Sequence, residues 1–174
     1  QNRVLSLDGD GDYVELPHGI FNHLTEATVE GWVRFDEFRF WAQFIAFGKE
    51  DNALGINHQR HTPNLQFFIV RNENTGPDII RVNQGLALGQ WVHLAAVSGP
   101  GGMKLYINGT LVGQNEYTGS FAHIDSVGHR NYLGRSNWER NADLKGQIDE
   151  VRVWDRARTG AEIRADMFRP LSGA

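Results

Sequence analysis

The chain has 174 residues, a length that suits one domain with one core, and it contains no apolar run long enough to cross a membrane. Hydrophobic residues make up 40% of the chain and charged residues 22%, values typical of a folded protein rather than a disordered one. The net charge is −4 with scattered basic residues, which argues against a nucleic-acid partner, and the absence of cysteine excludes disulfides and thiolate chemistry.

Alternation with a period of two dominates the chain and predicts about twelve short strands. The first two strands, 4–7 and 12–17, flank an Asp-Gly-Asp-Gly sequence and are expected to form a hairpin across it. The later strands are separated by turns that contain glycine, proline or asparagine. They are expected at 27–35, 40–48, 53–58, 64–71, 78–83, 91–98, 103–108, 111–117, 131–134 and 146–155.

Two local motifs support this prediction and add a single helix. Asn108-Gly109 is typical of a two-residue hairpin turn, because both central positions of such a turn need positive φ. Thr159, with Glu162 three residues later, predicts a capping box that opens a short helix over 159–168. No strand–helix–strand alternation occurs, so the strands are expected to be antiparallel and to stack as two sheets. The predicted fold class is an all-β sandwich with one short C-terminal helix.

Three segments of the chain, in this order, resemble a known family. The first runs from LDGDGDYVELP (7–17) to TVEGWVRF (28–35), the second is GQWVHLAAVSGPGGMKLYINGTLVG (89–113), and the third runs from YLGRSNW to TGAEI (132–163). Together they make the chain similar to the laminin-G-like, concanavalin A-type jelly rolls of bacterial multidomain proteins, an architecture that pentraxins share. The resemblance implies one domain over 1–174 with two antiparallel sheets. Members serve as carbohydrate-binding modules, adhesins, lectins and spacers, and the same architecture carries glucanases and polysaccharide lyases.

The aspartates at 8, 10 and 12 match the start of a helix–loop–helix calcium loop but not the rest of it. Counting from Asp8, the sixth position should be glycine and is Tyr13, and the twelfth should be acidic and is Gly19. The sequence therefore predicts a turn between two strands here. Related sandwiches imply a narrower alternative, in which Asp8 and Asp149 of the closing strand hold a structural ion.

The pentraxin resemblance also implies a calcium site on one face of the sandwich. Asp51-Asn52 stands at the position of the pentraxin Asp-Asn turn, and Asp143 lies in the later loop that supplies further oxygen ligands. That loop departs from the pentraxin pattern, because 136–138 reads Ser-Asn-Trp where pentraxins have a Glu-Gln-Asp run. The expected site is a single calcium ion held by Asp51, Asn52 and Asp143.

A sugar-binding surface needs exposed aromatic rings beside amides and charged groups, since pyranose faces stack on rings and hydroxyls need hydrogen-bonding partners. Trp138 is the leading candidate, because an indole among charged and polar neighbours is not expected to be buried. Trp32, Trp91 and Trp154 lie in the family strands and are expected to pack against the sheets. The other candidate sugar contacts are Trp41, Arg135, Asn137, His58 and His61.

Two segments raise the alternative of an enzyme. Strand alternation places Asp149 and Glu150 on opposite faces, and a third acid at the glucanase spacing is missing. His58, Arg60 and His61 form a polar cluster of the kind that a lyase uses, and the two histidines also have a spacing that suits a transition metal. Both segments are equally typical of polar strand ends, so we expect no enzyme.

The sequence therefore predicts a non-catalytic binding module of a secreted or cell-surface protein. The first expected function is calcium-assisted recognition of a glycan or cell-surface glycoconjugate, including adhesion. The alternatives are a protein–protein interaction or spacer module and, last, a polysaccharide-cleaving enzyme that uses the loop at 58–61. Neither a nucleic-acid partner nor membrane insertion is expected.

Overall fold

The computed structural model describes residues 4–71, 76–124 and 128–171. Within these ranges there are twelve strands and one α-helix, and no helix is long and apolar enough to span a membrane. The helix, α1, is Gly160–Asp166, and a short 3-10 turn lies at Phe121–His123. The strands are β1 (Leu5–Asp8), β2 (Val14–Leu16), β3 (Ala27–Phe35), β4 (Gln43–Lys49), β5 (Asn52–His58), β6 (Leu65–Arg71), β7 (Pro77–Val82), β8 (Trp91–Ser98), β9 (Met103–Ile107), β10 (Thr110–Asn115), β11 (Arg130–Leu133) and β12 (Lys145–Trp154).

Two six-stranded antiparallel sheets enclose a common core, which confirms the predicted sandwich. The first sheet has the order β1-β12-β3-β8-β9-β10, and the second sheet has the order β2-β11-β4-β5-β6-β7. The hairpin predicted at Asn108-Gly109 is confirmed, because β9 pairs with β10 and the two turn residues have φ of 48° and 73°.

Alternating side chains fill the space between the sheets. On β6, Leu65, Phe67 and Ile69 are buried in the core, while Gln66 and Phe68 face the other side of the second sheet. The same alternation on the neighbouring strands aligns their outward side chains into rows, and these rows form the site described below. The largest fully buried side chains of the core are phenylalanines: Phe35, Phe44, Phe47, Phe67 and Phe121.

The turn after β1 links the two sheets instead of closing a hairpin, which corrects the sequence prediction. β1 pairs with β12 in the first sheet, whereas β2 pairs with β11 in the second. Gly9 and Gly11 take positive φ, and Asp8 Oδ1 accepts the Asp10 N–H at 2.8 Å. A turn between sheets and a turn within a hairpin need the same residue types, so the local pattern did not distinguish them.

The predicted capping box is confirmed at the start of α1. Thr159 Oγ1 accepts the Glu162 N–H at 3.3 Å, and the Glu162 carboxylate accepts the Thr159 N–H at 2.8 Å. The helix lies on the outer face of the first sheet. There Ile163 belongs to a second apolar cluster, whose other members are the sheet residues Ala95, Val97 and Tyr106.

A buried ion pair joins the segment around α1 to the first sheet. Glu30 on β3 is fully buried and accepts hydrogen bonds from Arg158 Nη1 at 2.7 Å and from Trp154 Nε1 at 2.8 Å. Arg158 also donates to the carbonyl of Glu162 at 2.9 Å and to the carboxylate of Asp166. Burial raises the pKa of Glu30, while the Trp154 hydrogen bond and the Arg158 charge lower it. The network therefore ties the helix to the sheet through a charge that water does not reach.

Candidate functional site

A row of four polar side chains crosses the outer face of the second sheet. The antiparallel register places Gln43 opposite Asn57, Asn57 opposite Gln66, and Gln66 opposite Arg81. Each of the four is next in sequence to a buried apolar residue, so strand alternation points all of them away from the core. They line a groove with a volume of about 300 Å³.

An apolar row lies beside the polar row. Gly55 is opposite Phe68, and Phe68 is opposite Ile79. Gly55 leaves room for its neighbours, because a Cβ at this position would lie 2.6 Å from Gln43 Oε1 and 2.6 Å from a ring carbon of Phe68. The floor of the groove thus combines a hydrogen-bonding strip with an apolar strip, a combination that orients small ligands with both polar and apolar faces.

Two half-buried tryptophans flank the groove. Trp138, in the loop between β11 and β12, stands edge-on to Phe68 with the ring centroids 5.7 Å apart. Trp41, just before β4, has a φ of 53°, a left-handed conformation that is uncommon outside glycine, and its N–H donates to the Arg60 carbonyl at 3.2 Å. Backbone strain of this kind concentrates at binding sites, so it supports a functional role for this corner of the fold.

Ser136 connects the loop that carries Trp138 to the groove floor. Its Oγ lies within hydrogen-bonding distance of Gln43 Nε2 at 2.9 Å, Asn141 Nδ2 at 2.8 Å and the Trp138 N–H at 3.1 Å. A hydroxyl oxygen has two lone pairs, so these donors compete for it. Because Ser136 is buried, this contact couples the position of Trp138 to that of Gln43.

Three amide atoms at the groove floor have no hydrogen-bond partner within the described ranges. They are Gln43 Oε1, Asn57 Oδ1 and Gln66 Nε2, and none of the three residues is more than 4% exposed. A buried polar atom without a partner costs about 1–3 kcal/mol, and most such atoms in proteins are satisfied. Two acceptors and one donor in a single strip match hydroxyl groups, which both donate and accept.

Trp138 also separates the groove from a larger charged cleft. This cleft has a volume of about 830 Å³ and is lined by side chains of both signs, including Arg135 and Asp143, whose Nε and Oδ1 are 3.6 Å apart. Asn137 lines the same cleft. Of the predicted sugar contacts, Trp41 and Trp138 are therefore brought together at the groove, while Arg135 and Asn137 lie beside it.

The two predicted histidine contacts do not form a surface cluster. His58 is fully buried at the end of β5, with its ring centroid 5.4 Å from that of Phe35 and 5.1 Å from that of Phe38, so it is not a sugar contact. Burial lowers the pKa of His58 to about 4, and the charge of His61 contributes to the same shift. His61 is exposed, and its Nδ1 lies 3.1 Å from the Phe38 carbonyl oxygen. The lyase-like grouping is thus divided between core and surface.

The predicted metal pair of Asp8 and Asp149 is wrong. Asp8 is opposite Lys145 on β12, and Asp149 lies four positions further along that strand. At about 3.4 Å per residue this places their Cα atoms about 14 Å apart along the ladder. Calcium ligands lie about 2.3–2.6 Å from the ion, and two short aspartate side chains do not close the gap.

The other predicted calcium ligands lie in different surroundings. Asp51 and Asn52 lie at the turn between β4 and β5. Asp143 is already engaged, since the Gly11 N–H donates to its Oδ2 at 3.0 Å and the Arg135 guanidinium is near its Oδ1. In the described part of the chain, no group of three or more His, Asp or Glu side chains is placed to hold a metal. Calcium binding by Asp51, Asn52 and Asp143 therefore stays a prediction.

The carboxylate of Glu150 is also engaged, which disfavours the glucanase alternative. The ladder between β12 and β3 is irregular between Asp149 and Arg152, and Glu150 has a φ of 52° there. Glu150 Oε2 accepts Arg152 Nη2 at 2.9 Å and the Leu171 N–H at 2.6 Å. This carboxylate therefore anchors the segment that follows α1.

Two of the three tryptophans predicted to pack against the sheets do so. The Trp32 indole donates to the Met167 carbonyl at 2.7 Å, and the Trp154 indole donates to Glu30. The prediction is wrong for Trp91, which is 37% exposed at the first position of β8.

Two six-stranded antiparallel sheets that enclose a common core define a jelly-roll sandwich, and comparison with known families gives the same class. The model of the concanavalin A-like lectin/glucanases superfamily matches residues 8–164. The chain therefore belongs to that superfamily, as the resemblance in the sequence predicted.

Individual relatives extend this comparison. Human pappalysin-1 is 34% identical over an alignment of 182 positions that covers 95% of this chain but 11% of pappalysin-1, so the chain spans a small part of that relative. The CBM40 module of Ruminococcus gnavus IT-sialidase, solved with α2,3-sialyllactose, has a TM-score of 0.79 at 12% identity, covering 94% of this chain and 96% of that one. The heptameric SAP-like pentraxin of Limulus polyphemus has a TM-score of 0.61 at 18% identity, covering 84% and 73%. These structures confirm the predicted jelly-roll fold and its pentraxin-related architecture.

Proposed function

We propose that this chain is a non-catalytic carbohydrate-binding module that holds a sugar in the groove of the second sheet. The observation that carries the proposal is the strip of buried, unpartnered amide atoms on Gln43, Asn57 and Gln66, which lies between Trp41 and Trp138. Sugar hydroxyls match the amides, and the apolar face of a pyranose ring matches the indole faces and the apolar row.

The size of the groove sets the length of glycan that it can hold. Its volume of about 300 Å³ is at the lower end of the roughly 300–1,000 Å³ typical of small-molecule sites. The groove therefore suits one end or one short segment of a glycan, and the rest of a longer glycan would lie in solvent or along the charged cleft.

The composition of the groove supports binding without cleavage. Its lining is made of Trp, Gln, Asn, Phe, Val, Pro, Ile and Arg side chains, and no carboxylate or histidine is among the described lining residues. Glycoside hydrolysis needs a pair of carboxyl groups, and elimination needs a base positioned at the sugar. The groove offers neither.

The likeness to a CBM40 module solved with sialyllactose supports a glycan as the partner. Glycan ligands are most abundant on the outside of cells, which is why we propose an extracellular or cell-surface location. The groove itself presents amides and one guanidinium, so this mode of binding does not depend on calcium. A calcium-assisted mode, and the alternative of a protein-interaction or spacer module, stay predictions.

The direct test is a glycan array followed by isothermal titration of the glycans that bind. Trp138→Ala is expected to weaken binding about thirtyfold or more, because it removes an anchoring ring worth about 2 kcal/mol. Trp91→Ala is the matched control, since it removes a partly exposed indole from the first sheet and should leave the affinity unchanged.

Two results would contradict the proposal. One is an array without any bound glycan, and the other is a Trp138→Ala variant that folds and binds as tightly as the parent. Repeating the titration in calcium and in chelator separates the two modes, because the groove mode predicts the same affinity in both.

A further inference from the structure

We infer that the sugar held in the groove carries a carboxylate and that Arg81 pairs with it. This inference rests on the proposed function and names the class of ligand, a glycan whose bound unit is an acidic sugar such as a uronic or sialic acid. Three features of Arg81 carry it: its place in the polar row, its charge relative to the other lining residues, and its lack of an ion-pair partner among the described residues.

Arg81 occupies the end of the polar row. It lies on β7, the edge strand of the second sheet, directly opposite Gln66. Alternation between the core residues Ile80 and Val82 points its side chain to the groove side. A ligand lying along the row therefore meets amides on the inner strands and a guanidinium at the edge.

Arg81 is the one ionisable side chain among the described residues that line the groove. Within the described ranges it forms no ion pair, whereas Arg71 on the adjacent strand pairs with Asp78 at 3.4 Å. The local charge of the groove is therefore positive, although the chain as a whole carries −4. Among the described lining residues, a ligand carboxylate would therefore find the cationic Arg81 and no acidic side chain that repels it.

The chemistry of the guanidinium favours a carboxylate over a hydroxyl as its partner. A planar guanidinium offers parallel N–H groups that match the two oxygens of a carboxylate, and such charged pairs are about twice as strong as neutral hydrogen bonds. The strands that carry Asn57, Gln66 and Arg81 are adjacent, at about 4.8 Å spacing. That spacing is on the scale of one sugar ring, so a single unit can place hydroxyls on the amides and its carboxylate on Arg81.

The charged cleft beside Trp138 is the competing location for an acidic group. Two of its arginines have acidic partners, since Arg130 lies 3.5 Å from Glu15 and Arg135 lies 3.6 Å from Asp143, and the third, Arg39, donates to the Gly9 carbonyl. Glu50, Glu139 and Asp143 also line the cleft, so a ligand carboxylate there would face acidic side chains. The described lining of the groove has no acidic side chain, and Arg81 has no ion-pair partner in the described part of the chain, which is why the geometry points to the groove. Arg130 then serves as a matched control, because it is an exposed arginine on the same sheet.

The test compares acidic glycans with forms that lack only the charge. The probes are 3′-sialyllactose, a galacturonate disaccharide and a hyaluronan tetrasaccharide, each with its carboxyl methyl ester, and an array of neutral and sulfated glycans. We expect the tightest ligand to be a carboxylated glycan, and its ester to bind at least about tenfold more weakly, because a charged hydrogen bond is lost. Arg81→Gln should remove this difference, Arg81→Lys should keep part of it, and Arg130→Gln should leave it intact. Thermal melting of each variant verifies the fold.

The outcomes separate this inference from the function on which it rests. The inference is overturned if neutral or sulfated glycans bind best. It is also overturned if the preference for acid over ester persists in Arg81→Gln or disappears in Arg130→Gln. In each of these cases the proposed carbohydrate-binding function still stands. If no glycan on the array or among the probes binds, the proposed function fails and this inference fails with it. A preference that weakens with added salt is a further expected result, since salt screens an exposed charge pair.

Discussion

Gly55 matters at the scale of a single residue because the groove floor uses the space that a side chain would fill. Gly55→Ala would place a methyl group 2.6 Å from both Gln43 Oε1 and the Phe68 ring, so both side chains must move. Overpacking of this kind costs about 1–3 kcal/mol. We expect the substitution to weaken glycan binding by about tenfold or more and to lower the melting temperature by about 2–4 °C per kcal/mol of this cost, as measured by titration and thermal melting.

The control for this prediction is Gly101→Ala. Gly101 is exposed, and a Cβ there would approach only the end of a lysine side chain at 3.9 Å. This variant should bind and melt as the parent does. Unchanged affinity in Gly55→Ala would show that the bound sugar does not use the floor of the groove.

Two single residues named from the sequence as candidate sugar contacts, Trp138 and Trp41, both line the groove, and their contact with a sugar stays a prediction. Trp138 was marked in the sequence by its polar neighbours. Asn57 and Gln66 were missed, because each is one polar residue in an alternating strand, and the row appears only when the register of β4 to β7 is known. His58 was misplaced although a signal was present, since period-two alternation with Leu54 and Ile56 puts it on the core side.

At the scale of elements, the attachment of α1 depends on the buried pair of Glu30 and Arg158. Arg158→Met would leave a buried carboxylate without its main cation, and breaking such a pair costs about 3–5 kcal/mol. We expect a correspondingly lower midpoint of urea unfolding with an unchanged slope. Adding Glu30→Gln to this variant should recover part of the loss, because the buried charge is then gone.

Arg156→Met is the matched control for this prediction. Arg156 pairs with Glu162 at the surface, where solvent screens the interaction, and its loss should change stability little. If Arg158→Met were as mild as Arg156→Met, the buried network would not be what secures the helix.

The elements themselves were largely predictable from sequence. Every described strand falls within or beside a predicted one, because the alternation was regular and glycine marked the turns. The capping box at Thr159 was also local information and is confirmed. The turn after Asp8 was misread as a hairpin, because the partner of β1 is β12, some 140 positions away, and pairing at that distance leaves no local pattern.

At the scale of the whole molecule, two buried histidines make stability depend on pH. His58 in the second sheet and His93 in the first both have a pKa lowered to about 4, in each case chiefly by burial. The charges of Arg152 and Arg158 add to the shift at His93. In the unfolded chain both histidines titrate near 6.5, so below that pH the unfolded state binds more protons than the folded state.

The contribution of these two histidines to the free energy of unfolding is therefore expected to be constant above about pH 6.5. It should fall as the pH drops from 6.5 toward 4. Each histidine contributes up to about 1.4 kcal/mol per pH unit in this window. Urea unfolding at pH 7.5, 6 and 5 measures the slope. His93→Gln should make it shallower, while replacing the exposed His23 with glutamine should not. Equal slopes in parent and His93→Gln would refute the assignment.

The fold class and family were predictable for the whole molecule because three long motifs kept their order along nearly the full chain, and the superfamily match over 8–164 confirms them. The prediction that Asp8 and Asp149 share a metal ion was wrong because it depended on a distance that no sequence motif specifies. Family analogy names residue types but does not fix how far apart two residues lie along a ladder, and here Asp8 is opposite Lys145.

Both ends of the described chain lie with the first sheet, while the groove opens from the outer face of the second. Val4 leads directly into the edge strand β1. At the other end, the Leu171 N–H donates a hydrogen bond to the carboxylate of Glu150 on β12. A tether at either end would therefore attach to the module at the first sheet and leave the groove of the second sheet facing away from the attachment point. Several copies on one scaffold could then engage neighbouring glycan ends together, and their combined avidity would be governed by tether length as much as by the contacts of one site.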